Sequence, residues 1–166
     1  MAGMPDSAVQ MHIDDRDVRV SNPDKVYFAE LGLTKGQVVD YFVSVGEGIV
    51  AALRDRPTTM ERWPAGVVPG ATVSTRGGRG GDAFYQKRVP PRAPEWVHTA
   101  EVTYPSGRTA FQVCPSDLAT IVWMVNLGTL RFHPWPVTAC GRRSRSAANR
   151  PGPTTRDRLL ACRTGR

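Results

Sequence analysis

Two lysines are the first residues of this sequence whose type and position fit a chemical role. Lys25 lies in SNPDKVYF, and Lys35 lies in GLTKGQ at the first turn of a predicted helix. A lysine beside free backbone amides at a helix N-terminus is well placed to hold a phosphate. Surface lysines are common and most hold no ligand, so the pair alone indicates a phosphate site only weakly.

A second candidate is the run FYQKR, in which Phe84 and Tyr85 precede Lys87. Bases stack on aromatic rings at about 1–3 kcal/mol per base, while lysine or arginine contacts the nucleic-acid backbone. The same alternation is equally typical of a half-buried strand with a charged outer face. The pattern alone leaves both interpretations open.

Arg62 and His133 are two further candidates. Arg62 precedes Trp63, a pair that by itself predicts a packed tryptophan beside a surface arginine. His133 lies in RFHPWPV, and a lone histidine near a strand end is more often structural than catalytic. Neither residue assigns a reaction without further information.

Carboxylates and cysteines form no metal motif that the sequence reveals. Two-metal catalysis needs clustered carboxylates that hold ions about 4 Å apart. No Asp-x-Asp follows His133, and the acidic run at residues 14–17 lies in an N-terminal segment that we predict to be flexible. The three cysteines are widely spaced and form no Cys-x-x-Cys pair: Cys114, Cys140 and Cys162. We therefore expect reduced thiols and no metal site.

Two main helices and several short strands are predicted to position these residues. Apolar residues recur at helical spacing from Thr34 to Leu53, and Gln37 completes a capping box with Thr34. The apolar run LATIVWMVNL predicts a buried helix with Ser116 as its N-cap. Short strands are predicted over residues 58–63, 83–89, 96–104, 108–113 and 129–133. This order indicates a mixed α+β domain.

All of the net positive charge lies in the C-terminal segment. Residues 1–137 carry 14 Lys and Arg against 14 Asp and Glu, whereas residues 138–166 carry eight arginines and Asp157. That segment has no aromatic residue, Val, Ile or Met, so we predict it to be disordered. An arginine-rich arm can bind nucleic acid non-specifically. The composition is more typical of GC-rich coding DNA read out of register, which favours a frameshifted C-terminus.

The overall composition excludes several classes of protein. With 40% hydrophobic and 22% charged residues, the sequence is typical of a globular domain. It has no apolar run of 18 residues and no secretion signal, so we expect a cytoplasmic protein.

The glycine-rich RGGRGG stretch within residues 64–82 is predicted to be a solvated loop, with binding to a nucleic-acid backbone as the alternative.

Taken in order, several blocks resemble the polymerase domain of bacterial ligase D and its stand-alone relatives, within the archaeo-eukaryotic primase superfamily. The resemblance covers residues 18–137, between a flexible segment 1–17 and the arginine-rich tail 138–166. The blocks are VSNPDKVYF, LTKGQVVDYF, RPTTMERWPAGV, DAFYQKRVPPRAPEW, YPSGRTA and CPSDLATIVWMVNLGTLRFHPWPV. The fold it implies is the N-terminal part of a primase-polymerase, with short mixed or antiparallel strands.

The resemblance implies gap filling, extension of DNA ends and primer synthesis in non-homologous end joining, with Mn²⁺ or Mg²⁺ and together with Ku and a DNA ligase. Lys25 and Lys35 correspond to a pair that grips the 5′-phosphate of the downstream strand. Phe84 and Tyr85 are similar to an aromatic platform against the template. The remaining implied contacts are Arg62 and Lys87 on the DNA-facing surface and His133 beside the active centre.

One departure limits what the resemblance implies. In relatives, HPWPV is soon followed by a metal-binding Asp-x-Asp, and here the arginine-rich tail stands in its place. We therefore expect an incomplete fold that has lost phosphoryl transfer. Two alternatives are a non-catalytic module that binds 5′-phosphorylated DNA and a pseudogene product that does not fold stably.

Overall fold

A computed structural model describes residues 7–74 and 81–139, and over these residues the chain forms nine strands and three helices. The strands are β1 (Ala8–Ile13), β2 (Arg16–Ser21), β3 (Val26–Phe28), β4 (Leu33–Thr34), β5 (Thr58–Arg62), β6 (Phe84–Gln86), β7 (Thr99–Thr103), β8 (Thr109–Val113) and β9 (Thr129–Pro134). The helices are α1 (Lys35–Ser44), α2 (Gly46–Leu53) and α3 (Leu118–Asn126). The α+β prediction is confirmed. The C-terminal tail from residue 140 onward and most of RGGRGG lie outside the described residues.

Residues 8–17 of the N-terminal segment form a hairpin turn and strand residues, where flexibility was predicted. β1 and β2 form an antiparallel hairpin in which Met11 pairs with Val18. Ile13, Val18 and Val20 are buried in the core, and Arg16 binds Asp117 at the start of α3. The flexible boundary at residue 17 is therefore wrong for residues 8–17. The polar composition hid the three apolar residues that the hairpin buries in the core.

The helix predicted from Thr34 to Leu53 is two helices bent by 75°. The capping box is confirmed, since Gln37 donates its amide N–H to Thr34 Oγ1 and the Thr34 amide donates to Gln37 Oε1. The chain bends at Val45, just before Gly46. A Cβ on Gly46 would lie 3.0 Å from the side chain of Leu118, so glycine permits the close approach of α2 to α3.

The central sheet has five strands, and every strand pairing in it is antiparallel. β5 pairs with β9 along one edge and with β6 and β8 along the other. Glu61 lies opposite both Tyr85 of β6 and Arg131 of β9, and Arg62 lies opposite Phe84. The hairpin of β7 and β8, predicted through YPSG, is confirmed by the Tyr104–Arg108 backbone bond of 2.9 Å.

α3 is the buried helix of the core, as predicted, but its N-cap is Asp117 and not Ser116. The Asp117 carboxylate accepts from the Thr120 amide at 2.8 Å and from the Thr120 hydroxyl at 2.7 Å. Burial alone would raise the pKa of Asp117, but the hydrogen bonds from Thr120 and Arg16 outweigh it and hold that pKa below its ordinary value. The side chain of Ser116 bonds His98 and Asp117 instead.

The apolar core fills the space between the helices and one face of the sheet. Residues 119–125 of α3 are all buried, and Met60 of β5 is 1% exposed. Phe42 of α1 meets Phe132 of β9 edge to face, with ring centroids 5.6 Å apart. Among the described helices, none alone is long and apolar enough to cross a membrane, and α1 with α2 reaches that length and composition only as a bent pair.

Candidate nucleic-acid interface

The turn before β3 places Lys25 beside the start of α1. Lys25 is exposed, and its ammonium donates to the carbonyl oxygen of Pro64 at 2.9 Å. The backbone carbonyl of Lys25 accepts from the Lys35 amide at 2.8 Å, and that of Pro23 accepts from the Gly36 amide at 2.8 Å. The first amides of α1 are therefore already bonded within the protein. The free amides that the sequence suggested for a phosphate are not available here.

Lys35 is buried, with 7% of its surface exposed. Its ammonium donates to the Ser21 carbonyl at 2.8 Å, to Ser21 Oγ at 3.2 Å and to Asn126 Oδ1 at 2.9 Å. Asn126 Oδ1 also accepts from the Ser21 amide at 2.9 Å. We call Ser21, Lys25 and Lys35 the lysine turn. Within it the two lysines differ, because Lys25 points to solvent and Lys35 joins β2, α1 and α3.

Arg62 and Phe84 lie together on the helix-covered face of the sheet. The Arg62 guanidinium stands 5.4 Å from the centroid of the Phe84 ring and donates from Nε to the Leu127 carbonyl at 2.7 Å. It also donates to Gln86 Oε1. Burial lowers the pKa of Arg62, an effect that nearby Tyr27 opposes. Three contacts therefore fix the plane of this guanidinium.

Tyr27 is a buried neighbour of Arg62. Its hydroxyl donates to the Trp63 carbonyl at 2.5 Å, and burial raises the pKa of Tyr27 to about 12, although the positive charge of Arg62 acts in the opposite direction. The phenol therefore stays protonated at neutral pH and remains a hydrogen-bond donor.

Tyr85 and His133 lie on the opposite face of the same sheet. Their rings meet edge to face with centroids 5.4 Å apart, and the Tyr85 residue is 49% exposed. Because neighbouring residues of a strand face opposite sides, Phe84 and Tyr85 do not form one flat platform. The predicted aromatic pair is divided between the two faces. Lys87 lies beyond the end of β6, with its ammonium 5.1 Å from the centroid of the Tyr104 ring.

Sequence reasoning missed the residue at the centre of this open face. Glu61 has a side chain that is 1% exposed, and its carboxylate accepts from Trp63 Nε1 at 3.1 Å and from Arg131 at 3.2 Å. His133 Nε2 lies 3.1 Å from the other carboxylate oxygen. We call Glu61, Tyr85, Arg131 and His133 the Glu61 cluster. The one available signal was strand alternation, which puts Glu61 and Trp63 on the same face of β5.

The described residues contain no group of three or more His, Cys, Asp or Glu side chains able to hold a metal ion. Asp15 and Asp17 do have Asp-x-Asp spacing, but Asp15 lies in the turn of the β1–β2 hairpin and Asp17 of β2 pairs with His12 of β1. Asp17 bonds His12 at 2.9 Å, and both side chains are largely exposed. Cys114 is a free, buried thiol, whose pKa is raised to about 12 by burial and by the charge of Asp55. These residues do not fit a two-metal centre.

The structure is that of an α+β domain whose sheet has a half-buried face of aromatic and cationic side chains. Comparison with known proteins identifies the family of this domain. The family model described as LigD, primase-polymerase domain, matches residues 34–153. The chain belongs to this family, and the resemblance drawn from the sequence blocks is confirmed. The match extends past residue 137, where the sequence blocks ended.

Relatives named for non-homologous end joining share this part of the chain. The multifunctional non-homologous end joining protein LigD of Mycolicibacterium smegmatis is 31% identical over 116 residues, which cover 70% of this chain and 14% of that protein. The LigD of Mycobacterium tuberculosis strain H37Rv, a multifunctional non-homologous end joining DNA repair protein, is 30% identical over 144 residues, covering 86% of this chain and 17% of that protein. The chain thus spans less than a fifth of the length of these two curated relatives.

A solved structure agrees with the fold. The polymerase domain of Mycobacterium tuberculosis ligase D in complex with DNA matches with a TM-score of 0.61 and 28% identity. The match covers 82% of this chain and 42% of that one.

Proposed function

We propose that this chain binds DNA ends or gaps that carry a 5′-phosphate, in the role of a LigD-type primase-polymerase domain in non-homologous end joining. The observation that carries the proposal is the open face of the sheet, where the exposed Tyr85 ring meets His133 and Arg131 lies across Glu61 from Tyr85. Aromatic rings with neighbouring cations suit stacking on an unpaired base together with contact to the backbone. The matching polymerase domain of ligase D was solved in complex with DNA, which also supports a DNA-binding role for this chain.

The 5′-phosphate contact is assigned to Lys25, with Lys35 as its support. The Lys25 ammonium is exposed and makes one bond to a backbone carbonyl, so it is able to turn toward a phosphate. Lys35 is buried among three acceptors, and a direct contact to DNA would have to replace them. Arg62 and Phe84 act from the helix-covered side, and Lys87 adds a cation beyond β6.

We also propose that these 166 residues do not add nucleotides on their own. Mn²⁺ or Mg²⁺ in this family would require clustered carboxylates, and no Asp-x-Asp follows His133 in the sequence. In the same proposed role, the chain acts in the cytoplasm, and its protein partners are Ku and a DNA ligase. The chain is then a non-catalytic DNA-binding module, and the buried apolar core favours this proposal over an unstable product.

Fluorescence anisotropy with a labelled gapped duplex, with and without the 5′-phosphate, tests the binding proposal. One charge-assisted contact is expected to tighten binding to the phosphorylated gap roughly tenfold. Lys25→Met should remove this preference, and Lys87→Met, which removes a cation elsewhere, should keep it. Equal affinity of the unmodified protein for both duplexes would reject the proposal.

Nucleotide addition is measured on the same gapped duplex with Mn²⁺. No extension is expected from the full chain. Template-dependent extension would show that the residues after His133 complete an active centre, and would overturn the non-catalytic part of the proposal while leaving the DNA-binding part intact.

A further inference from the structure

Glu61 is a buried acid to which the proposed DNA-binding role assigns no task. It lies in β5, one residue before the end of the strand, with β6 on one side and β9 on the other, and its side chain is 1% exposed. Burying a carboxylate is costly unless donors replace its water. Here three side chains provide those donors: Trp63, Arg131 and His133.

Two of these three donors also reach the surface. The side chains of Arg131 and His133 are 69% and 45% exposed, whereas Trp63 is buried. His133 in turn meets the exposed Tyr85 ring in an edge-to-face contact. The buried Glu61 carboxylate thus bonds two surface side chains, those of Arg131 and His133, and it is linked to Tyr85 through His133.

We infer that Glu61 is the positioning residue of the Glu61 cluster: its carboxylate sets the orientation of His133 and Arg131, and so the surface on which an unpaired template base stacks. The inference rests on the proposed function, because it assigns the open face to DNA. Glu61 itself is too buried to touch DNA and acts only through its partners.

The geometry also specifies the protonation of the imidazole. A carboxylate has no proton to give, so the neutral His133 ring must carry its proton on Nε2, which faces Glu61 Oε2 at 3.1 Å. Its Nδ1 is then an acceptor. The Glu61 carboxylate uses one oxygen for His133 and the other for Arg131 and Trp63.

Glutamine has nearly the same shape but only one acceptor oxygen. In Glu61→Gln the amide oxygen can serve Arg131 and Trp63, and the amide nitrogen then donates toward His133. The imidazole must present a lone pair to that N–H, which moves its proton to Nδ1. A role of Glu61 confined to its bonds with Arg131 and Trp63 does not require this change.

The first measurement is the ¹⁵N spectrum of the imidazole of His133, recorded at about pH 8.5, where histidines are ordinarily neutral. The unmodified full chain should show the Nε2–H form, and Glu61→Gln should show the Nδ1–H form. Glu47→Gln, which removes an exposed carboxylate from α2, should leave the spectrum unchanged. An Nδ1–H form in the unmodified protein would overturn the inference, and this result does not depend on any variant folding.

The second measurement is the affinity for a duplex with a single-stranded 3′ overhang. Glu61→Gln should weaken binding roughly tenfold, His133→Ala should do the same, and the double variant should be little weaker than either, because Glu61 acts through His133. Additive losses, or an unchanged affinity in folded Glu61→Gln, would overturn the inference. If the unmodified protein keeps the Nε2–H form but does not bind the overhang, the proposed function fails and the hold of Glu61 on His133 stands.

Discussion

The lysine turn and the Glu61 cluster each bury one charge, and they use it in opposite ways. In the lysine turn the buried group is a cation, and it donates to oxygens of Ser21 and Asn126 inside the protein. In the Glu61 cluster the buried group is an anion, and two of its donors extend to the surface. The Lys35 charge therefore joins elements inside the protein, whereas the Glu61 charge arranges side chains at the protein surface.

The two lysines of the lysine turn have similar sequence contexts but different environments in the structure. Lys25 and Lys35 both lie in blocks that suggest phosphate binding, yet only Lys25 is exposed. The fold has bonded Lys35 to β2 and α3, so its loss is expected to appear mainly as lost stability. The loss of Lys25 is expected to appear mainly as lost binding.

The largest effect that tests this contrast is expected from Lys35→Met. Methionine keeps much of the apolar length but removes the side-chain donor to the Ser21 carbonyl, whereas Asn126 Oδ1 keeps its bond from the Ser21 amide. A buried acceptor that loses its partner costs about 1–3 kcal/mol, so the free energy of unfolding should fall by about that amount. Urea denaturation followed by circular dichroism measures it.

Lys25→Met is the matched control for that substitution. Its ammonium is exposed, so the expected loss of stability is below about 0.5 kcal/mol. Equal destabilisation by the two variants would show that the lysines are equivalent, and the contrast between them would be wrong.

Local features of the fold were predictable from the sequence, whereas the two buried charges were not. The capping box of Thr34 and Gln37 and the hairpin at Pro105-Ser106-Gly107 depend on residues a few positions apart, and both are confirmed. The bond between Lys35 and Asn126 spans 91 positions, and that between Glu61 and His133 spans 72. No local pattern contains such pairs, because they depend on how α3 and β9 return to the strands before them.

The same limit explains the divided aromatic pair. Strand alternation correctly separates neighbouring residues, but it does not say which face the helices cover. That depends on the packing of Met60 and Phe132 against α1 and α3. The N-terminal hairpin was missed for a related reason, since its few apolar residues become buried only once β2 meets α3.

An intermediate effect is expected at Asp117, which starts the helix that carries Asn126 to the lysine turn. Asp117→Ala removes the N-cap and the partner of Arg16, and loss of a cap costs about 1 kcal/mol. The expected loss of stability should leave the preference for a 5′-phosphate unchanged. A lost preference would mean that binding effects at Lys25 cannot be separated from general weakening of α3.

The pH dependence of the same site gives a second measurement. Because the pKa of Asp117 is lower in the folded protein, its charge stabilises the fold at pH values above the unfolded pKa of about 3.9 and stops doing so as the pH falls through the folded value. Asp117→Asn keeps a capping oxygen but has no charge. The stability advantage of the unmodified protein over Asp117→Asn should therefore be constant near neutral pH and shrink in acid, as measured by urea unfolding between about pH 7 and pH 3. A constant advantage throughout would contradict the assignment of the shift to Asp117.

The smallest effect is expected where the two regions meet, at Arg62. This residue follows Glu61 in β5, and its Nε donates to Leu127, the residue after Asn126. Arg62→Lys keeps the charge but loses the planar contact with Phe84 and part of the hydrogen bonding, which should cost about 0.5–1 kcal/mol of stability. Arg88→Lys, at an exposed position, is the control. If Arg62 only joins the regions mechanically, neither the 5′-phosphate preference nor the overhang affinity should change more than about twofold, because the charge near the DNA is preserved. A selective loss of overhang affinity would instead make Arg62 part of the Glu61 cluster, acting across the sheet from the helix-covered face.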